Sequence, residues 1–222
     1  MKTQSNTGVI IAALVITLWG LVLYFLLIWN FSWTNPLTYL MILVQMHLYT
    51  GLFITAHDAM HGTVSSSKRM NVYVGQLCTA LYAAFSFHKL YEKHHQHHRH
   101  VHSENDPDYH EGSFLSWYFK FMKDYLSIWQ ILIMALAFNV LKLWFTELNL
   151  LMFWVFPSLL STIQLFYFGT WLPHHGNHDN PHHSRTQSKN HIRAFLSCYF
   201  FGYHYEHHDS PGLPWWLLWK TK

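Results

Sequence analysis

Three groups of histidines, each at helical spacing and each beside an apolar stretch, limit what this chain can become. They are His57-Asp58-Ala59-Met60-His61, His94-His95-Gln96-His97-His98, and His204-Tyr205-Glu206-His207-His208. In each, one His is followed by another at i+4, and in two of them also at i+3, which on a helix stacks imidazoles along one side. Neutral imidazole is the commonest protein ligand for transition metals, and a site needs donors converging from several segments. Eight phased imidazoles exceed the three or four that a single ion takes, so the pattern predicts two metals. Carboxylates at ligand phase are scarce, which argues against a mixed Glu/His recipe.

The stretches between the groups are membrane-like. Hydrophobic residues make up 51% of the 222 residues and charged ones only 11%, against about a quarter charged in soluble domains. Twenty histidines account for a mean hydropathy near zero. A net charge of +3 is too small to indicate a nucleic-acid partner. Cys78 and Cys198 stand apart, which predicts reduced buried thiols.

Residues 8–29, 37–56, 128–145 and 150–170 each approach the ~20 apolar residues that cross about 30 Å of hydrocarbon. The first is too long for a signal peptide's apolar core and reads as a retained span. Residues 72–87 are apolar but short and interrupted. If the first two histidine groups share a site, this segment cannot cross, so it reads as re-entrant or interfacial. The fold class is therefore all-α integral membrane: one domain over 1–222, with four transmembrane helices and a helical cap carrying the histidines. Four crossings return both termini and all three groups to one side. Lys2, Lys68, Arg69, Lys89, Lys93, Arg99, Lys120, Lys123, Arg185, Lys189, Arg193, Lys220 and Lys222 fall on that side and Lys142 near the other, a bias that makes the histidine side cytoplasmic. Leu213 to Trp219 reads as an interfacial aromatic anchor. Among single residues, His47 sits in mid-span and reads as a core or cavity-lining group. His95, His100, His102, His110, His175, His178, His183 and His191 are off-phase and read as bystanders.

Several of these stretches are similar to one family. The His57 and His94 groups, Asp106-Pro107-Asp108, Phe166-Tyr167-Phe168-Gly169-Thr170-Trp171-Leu172-Pro173-His174, and the His204 group ending in Pro214-Trp215-Trp216 together resemble the bacterial β-carotene ketolases of the membrane fatty-acid desaturase/hydroxylase superfamily. The resemblance implies two iron ions (Fe2+) held by His57, His61, His94, His97, His98, His204, His207 and His208. It implies one further ligand before the last group, matched best by His182, with His183 as rival and His174 as a ligand or supporting residue. Asp58, Asp106, Asp108 and Glu206 neighbour these groups and could orient imidazoles. The implied reaction uses O2 and electrons from an external donor such as ferredoxin, since no flavin or nicotinamide fingerprint is present. It places a keto group at C4 of the β-ionone ring of a carotenoid drawn from the bilayer of a bacterial inner membrane. A carotenoid 3-hydroxylase or acyl-lipid desaturase on the same scaffold is the nearest alternative. A divalent-metal transporter is the alternative from another class, and it would want ionisable ligands deep in the bilayer.

Overall fold

The structure, a computed structural model, describes residues 6–222, so Lys2 of the charge balance lies outside them. Every regular element among the described residues is helical. Three helices are long and apolar enough to cross a membrane: α1 (Thr7–Leu27), α2 (Pro36–Met60) and, later in the chain, Glu147–His174. α1 shows why such a sequence needs lipid. Ala12, Val15, Trp19 and Leu23 are buried against the bundle, while Ile10, Leu14, Leu18, Leu21 and Phe25 face outward. A helix apolar all round has no face for water. α2 starts where Pro36 takes the first turn and the Asn35 side chain accepts the Leu37 N–H.

Two contacts fix the ends of the bundle. Gly8, at the start of α1, lies so close to the chain just past His61 that a Cβ there would sit 2.2 Å from the Val64 carbonyl oxygen. At the opposite end, the Asn149 amide donates to the carbonyls of Leu26, Leu27 and Trp29 at 3.1, 3.0 and 2.7 Å. It thereby satisfies acceptors that the end of α1 leaves open. α1 thus leaves the histidine end, α2 returns to it, and the helix starting near Asn149 returns again.

α3 (Lys68–Ala83) and α4 (Phe87–His100) form a hairpin that leaves and regains the histidine end. It turns through Ala84, whose φ is 54°, and restarts on Ser86, whose hydroxyl accepts the Lys89 N–H. α5 (Phe114–Tyr125) and α6 (Ile128–Leu141) then carry the chain to the far end with an 83° bend between them. The third span expected over 128–145 corresponds to α6, which begins at Ile128 but ends at Leu141, and the bend lies just before it. Leu126 is extended, and the Ser127 hydroxyl caps a new helix by accepting the Gln130 N–H. With 14 residues, α6 reaches about 21 Å, short of the ~30 Å hydrocarbon thickness. The bundle has three full-length apolar helices, and a fourth if the bent pair counts as one span.

α7 (Glu147–His174) contains two wide π-type turns, Leu150–Val155 and Tyr167–Trp171. Such turns redirect the helix face and recur at functional sites. Thr50 of α2 clasps α7 through Ser161 at 2.9 Å and Gln164 at 2.5 Å. α8 (His191–Cys198), α9 (His204–Asp209) and α10 (Trp215–Leu218) close the histidine end. The expected aromatic anchor is partly a lid. The Trp215 ring packs on Tyr199 at 4.9 Å and Leu218 is buried, while Trp219 stays exposed. Cys78 and Cys198 are free and buried.

Candidate metal centre

Nine imidazoles converge in two adjoining groups. His57, His61, His94, His98 and His207 form one, and His97, His174, His204 and His208 the other; within each group the nearest ring nitrogens all lie within 4.8 Å of one another. Helical phase assigns the members. The i,i+4 pairs His57/His61, His94/His98 and His204/His208 each stay within one group, and the i+3 residues His97 and His207 each serve the other. A step of three residues falls about 100° from a step of four around the helix, enough to aim the ring at a neighbouring point. The two groups share a wall, where His98 stacks on His208 with centroids 4.2 Å apart.

The ring nitrogens point at one another. His61 and His94 Nε2 are 2.7 Å apart, and His98 and His207 Nε2 are 3.2 Å apart. In the second group His97–His208, His174–His204 and His204–His208 Nε2 distances are 3.2, 2.9 and 3.0 Å. The outer nitrogens show which atom carries the proton. His97 Nδ1 donates to Asp106 Oδ1 at 2.9 Å, and His174 Nδ1 donates to the His183 carbonyl at 3.0 Å. Neither acceptor has a proton to give, so in the neutral rings Nε2 presents a lone pair to the site. Both nitrogens of buried His57 lack a hydrogen-bond partner, as does His204 Nδ1. Buried orphan nitrogens and convergent lone pairs are costly together unless a cation takes them. This donor set fits two metal ions with nitrogen-rich coordination.

Charge agrees with that reading. Burial first, and neighbouring rings second, push His94, His204, His207 and His208 well below the ordinary imidazole value, and His98 to about 2. These rings are neutral at pH 7 and ready to ligate. His97 differs: burial lowers it, but the hydrogen bond it donates to Asp106 and the charges of Asp108 and Asp106 outweigh that and raise it. Asp106 is held below its usual range, despite burial, by His97 and by the backbone N–H groups of His102 and Asp108.

The other expected residues fall as follows. His182 lies outside both groups. It is partly exposed, with Nε2 3.5 Å from Asp209 Oδ1, while His174 at the end of α7 is a member of the second group. His183, the rival, is exposed and contributes its carbonyl to His174. Asp58 does not hydrogen-bond an imidazole. His57 Nδ1 is 3.6 Å away, and Asp58 Oδ2 accepts the Trp215 N–H at 2.9 Å, fastening α10 beneath the site. Glu206 takes Thr186 and Lys222, each at 2.6 Å. His47 stacks on Tyr199 at 4.4 Å with Nε2 unpartnered. His95 stacks on Tyr91 at the surface.

An apolar cavity ends on this centre. Phe53, Met60, Phe85, Leu90, Phe121 and Leu165 line it, and His57 and His94 of one group and His97 and His204 of the other close it. A chamber lined by histidines of both groups suits an apolar substrate whose reacting carbon must meet that site.

Sequence comparison places the chain in a known family. The fatty acid desaturase model matches residues 31–138 and 113–222. The chain belongs to the fatty acid desaturase family. Among curated members of this family, a β-carotene ketolase of Paracoccus sp. is 42% identical, over 79% of this chain and 75% of its own length. A zeaxanthin 4-ketolase of Chlamydomonas reinhardtii is 38% identical over 97% of this chain, which spans 53% of that relative. A β-carotene 4-ketolase of Haematococcus lacustris is 39% identical over 79% of this chain and 59% of its own length. These relatives are enzymes, and no solved structure matches the chain.

Proposed function

We propose that this protein is a membrane di-iron oxygenase that converts C4 of a carotenoid's β-ionone ring to a ketone. The observation that carries the reading is the apolar cavity ending on imidazoles from both groups. His57, His61, His94, His98 and His207 would hold one ion, and His97, His174, His204 and His208 the other. Bound iron supplies the redox chemistry that activates O2. The chain's own residues do the rest. Asp106 and the His183 carbonyl lock ring tautomers, the aromatic wall excludes water, and the cavity presents one end of the polyene to the metals. In each of two rounds a C–H bond becomes C–OH, while O2, two electrons and two protons also yield one water. The resulting gem-diol loses water to leave the ketone.

In this reading the bent α5–α6 pair completes four crossings, the histidine end faces the cytoplasm of a bacterial inner membrane, and an external carrier such as ferredoxin delivers electrons. Expression in cells that accumulate β-carotene tests it. Echinenone and canthaxanthin are expected, and His97→Ala abolishes both. A 3-hydroxylated product, a new double bond, or unchanged β-carotene would overturn it.

A further inference from the structure

The two histidine groups differ in access. All four rings of the second are buried, whereas His61, His94 and His98 of the first are half-buried. His98 also lines a hollow on the outer side of α4, together with Tyr91, Glu92, His95, Gln96 and Arg99. Tyr91, Glu92, Gln96 and Arg99 are exposed, and a stripe this polar faces water. Neither Glu92 nor His95 belongs to the centre, yet both stand on its approach. His88, Glu92, His95 and His98 follow one another at steps of four, three and three, which sets them in a row along α4. At the outer end of the row, exposed His88 and Glu92 meet with Nε2 3.3 Å from Oε1. At the inner end the His95 ring lies 5.7 Å from that of His61 and 6.0 Å from that of His94. His95 Nδ1 donates to the Tyr91 carbonyl at 3.0 Å, and the two rings stack at 4.1 Å. The carbonyl can only accept, so in the neutral ring Nε2 carries the lone pair.

Taking a divalent ion out of water is costly at every point that offers it no donor, so a buried centre needs an entry path with ligand atoms along it. The cavity on the centre is walled mainly by aromatic and aliphatic side chains, a poor path for a hydrated ion. The hollow on α4 supplies a carboxylate and an imidazole instead. Its cations are held aside: Arg99 Nε is tied to the His95 carbonyl at 3.0 Å, and the Lys93 ammonium lies over the Tyr125 ring at 4.4 Å. We propose that Glu92 and His95 form a capture site through which divalent metal enters the first group, Glu92 drawing the ion in and His95 passing it to His61 and His98. The site is occupied in transit, so its residues set the speed of loading and not the affinity of the filled centre. This rests on the metal-centre reading above and is independent of which substrate is oxidised.

The test mixes the metal-free, full-length protein in detergent with Co2+, whose visible absorption changes on coordination by nitrogen, and follows uptake in time. Release is then followed after a chelator is added in excess, and affinity and final Co2+ content are measured on the same samples. Glu92→Gln and His95→Ala are each expected to slow uptake and release by one common factor of about tenfold, the low end of what a charged approach contributes to such rates. Affinity and content should stay at the wild-type values, because an entry path changes both rates alike. His182→Ala is the control: its ring lies 5.8 Å from His208 on the side of the second group, and its loss should leave both rates unchanged. Unchanged rates in either variant, slowing in His182→Ala in their place, or a fall in affinity or content in His95→Ala would overturn the capture site and leave the metal centre standing. Wild-type protein that takes up no Co2+ would overturn both.

Discussion

Asp106 fixes which nitrogen of His97 faces the other imidazoles of its group, so it should matter without being a ligand. Asp106→Asn is expected to weaken metal binding about 10- to 100-fold, the usual cost of losing such a partner; competition with a chelator measures it, and unchanged affinity would contradict the role. His174 and His182 give a sharper contrast. His174→Ala should cost about one of the two ions, because it removes one of the four donors of the second group, whereas His182→Ala should keep both; elemental analysis reads each. Eight of the nine converging histidines were legible because i+3 and i+4 partners announce a shared helix side. His174 has no such partner in either group and reached the site only because α7 ends there. One signal did exist: like His57, it stands where an apolar helix leaves the hydrocarbon. His182 drew attention by its place before Arg185, but the loop spends its backbone on His174 instead, through the His183 carbonyl and the Arg185 N–H on Pro173. Asp58 and Glu206 show that a carboxylate beside a histidine in sequence can bond a distant partner.

At the scale of elements, α4 has little apolar surface of its own and must be anchored by what it packs on. Its buried apolar residues are Phe87 and Leu90, and a Cβ at Gly75 of α3 would sit 2.1 Å from the Phe87 ring. Gly75→Ala should therefore displace the start of α4, destabilising the protein by about 1–3 kcal/mol as overpacking does. It should also lower metal content through His94, His97 and His98. Thermal unfolding in detergent with and without metal checks this, and an unchanged midpoint would contradict the anchoring. The long apolar helices were plain in the sequence because lipid leaves few alternatives. The bend between α5 and α6 was not, because it falls outside the apolar run that starts at residue 128. A serine cap and one extended residue are enough to turn the chain there, and hydropathy does not register them.

Across the whole molecule, two contacts set direction: Gly8 on Val64 at the histidine end and Asn149 on the carbonyls of α1 at the other. The turns between them have opposite characters. Lys142 is the single Lys or Arg in residues 28–35 and 142–149, whereas Lys89, Lys93 and Arg99 stand on α4. With Cys78 and Cys198 fully buried, cysteines placed at exposed Thr34 and Ser188 should react with an impermeant maleimide from opposite sides of sealed membranes. Labelling of both from one side would break the crossing pattern.

Nine imidazoles in two groups against one apolar cavity would hold two ions. Iron content and X-ray absorption of the purified, iron-loaded protein address it most directly. Two irons per chain are expected, each surrounded mainly by nitrogen. One iron or none after loading, or a first shell rich in sulfur or carboxylate ligands, would contradict it.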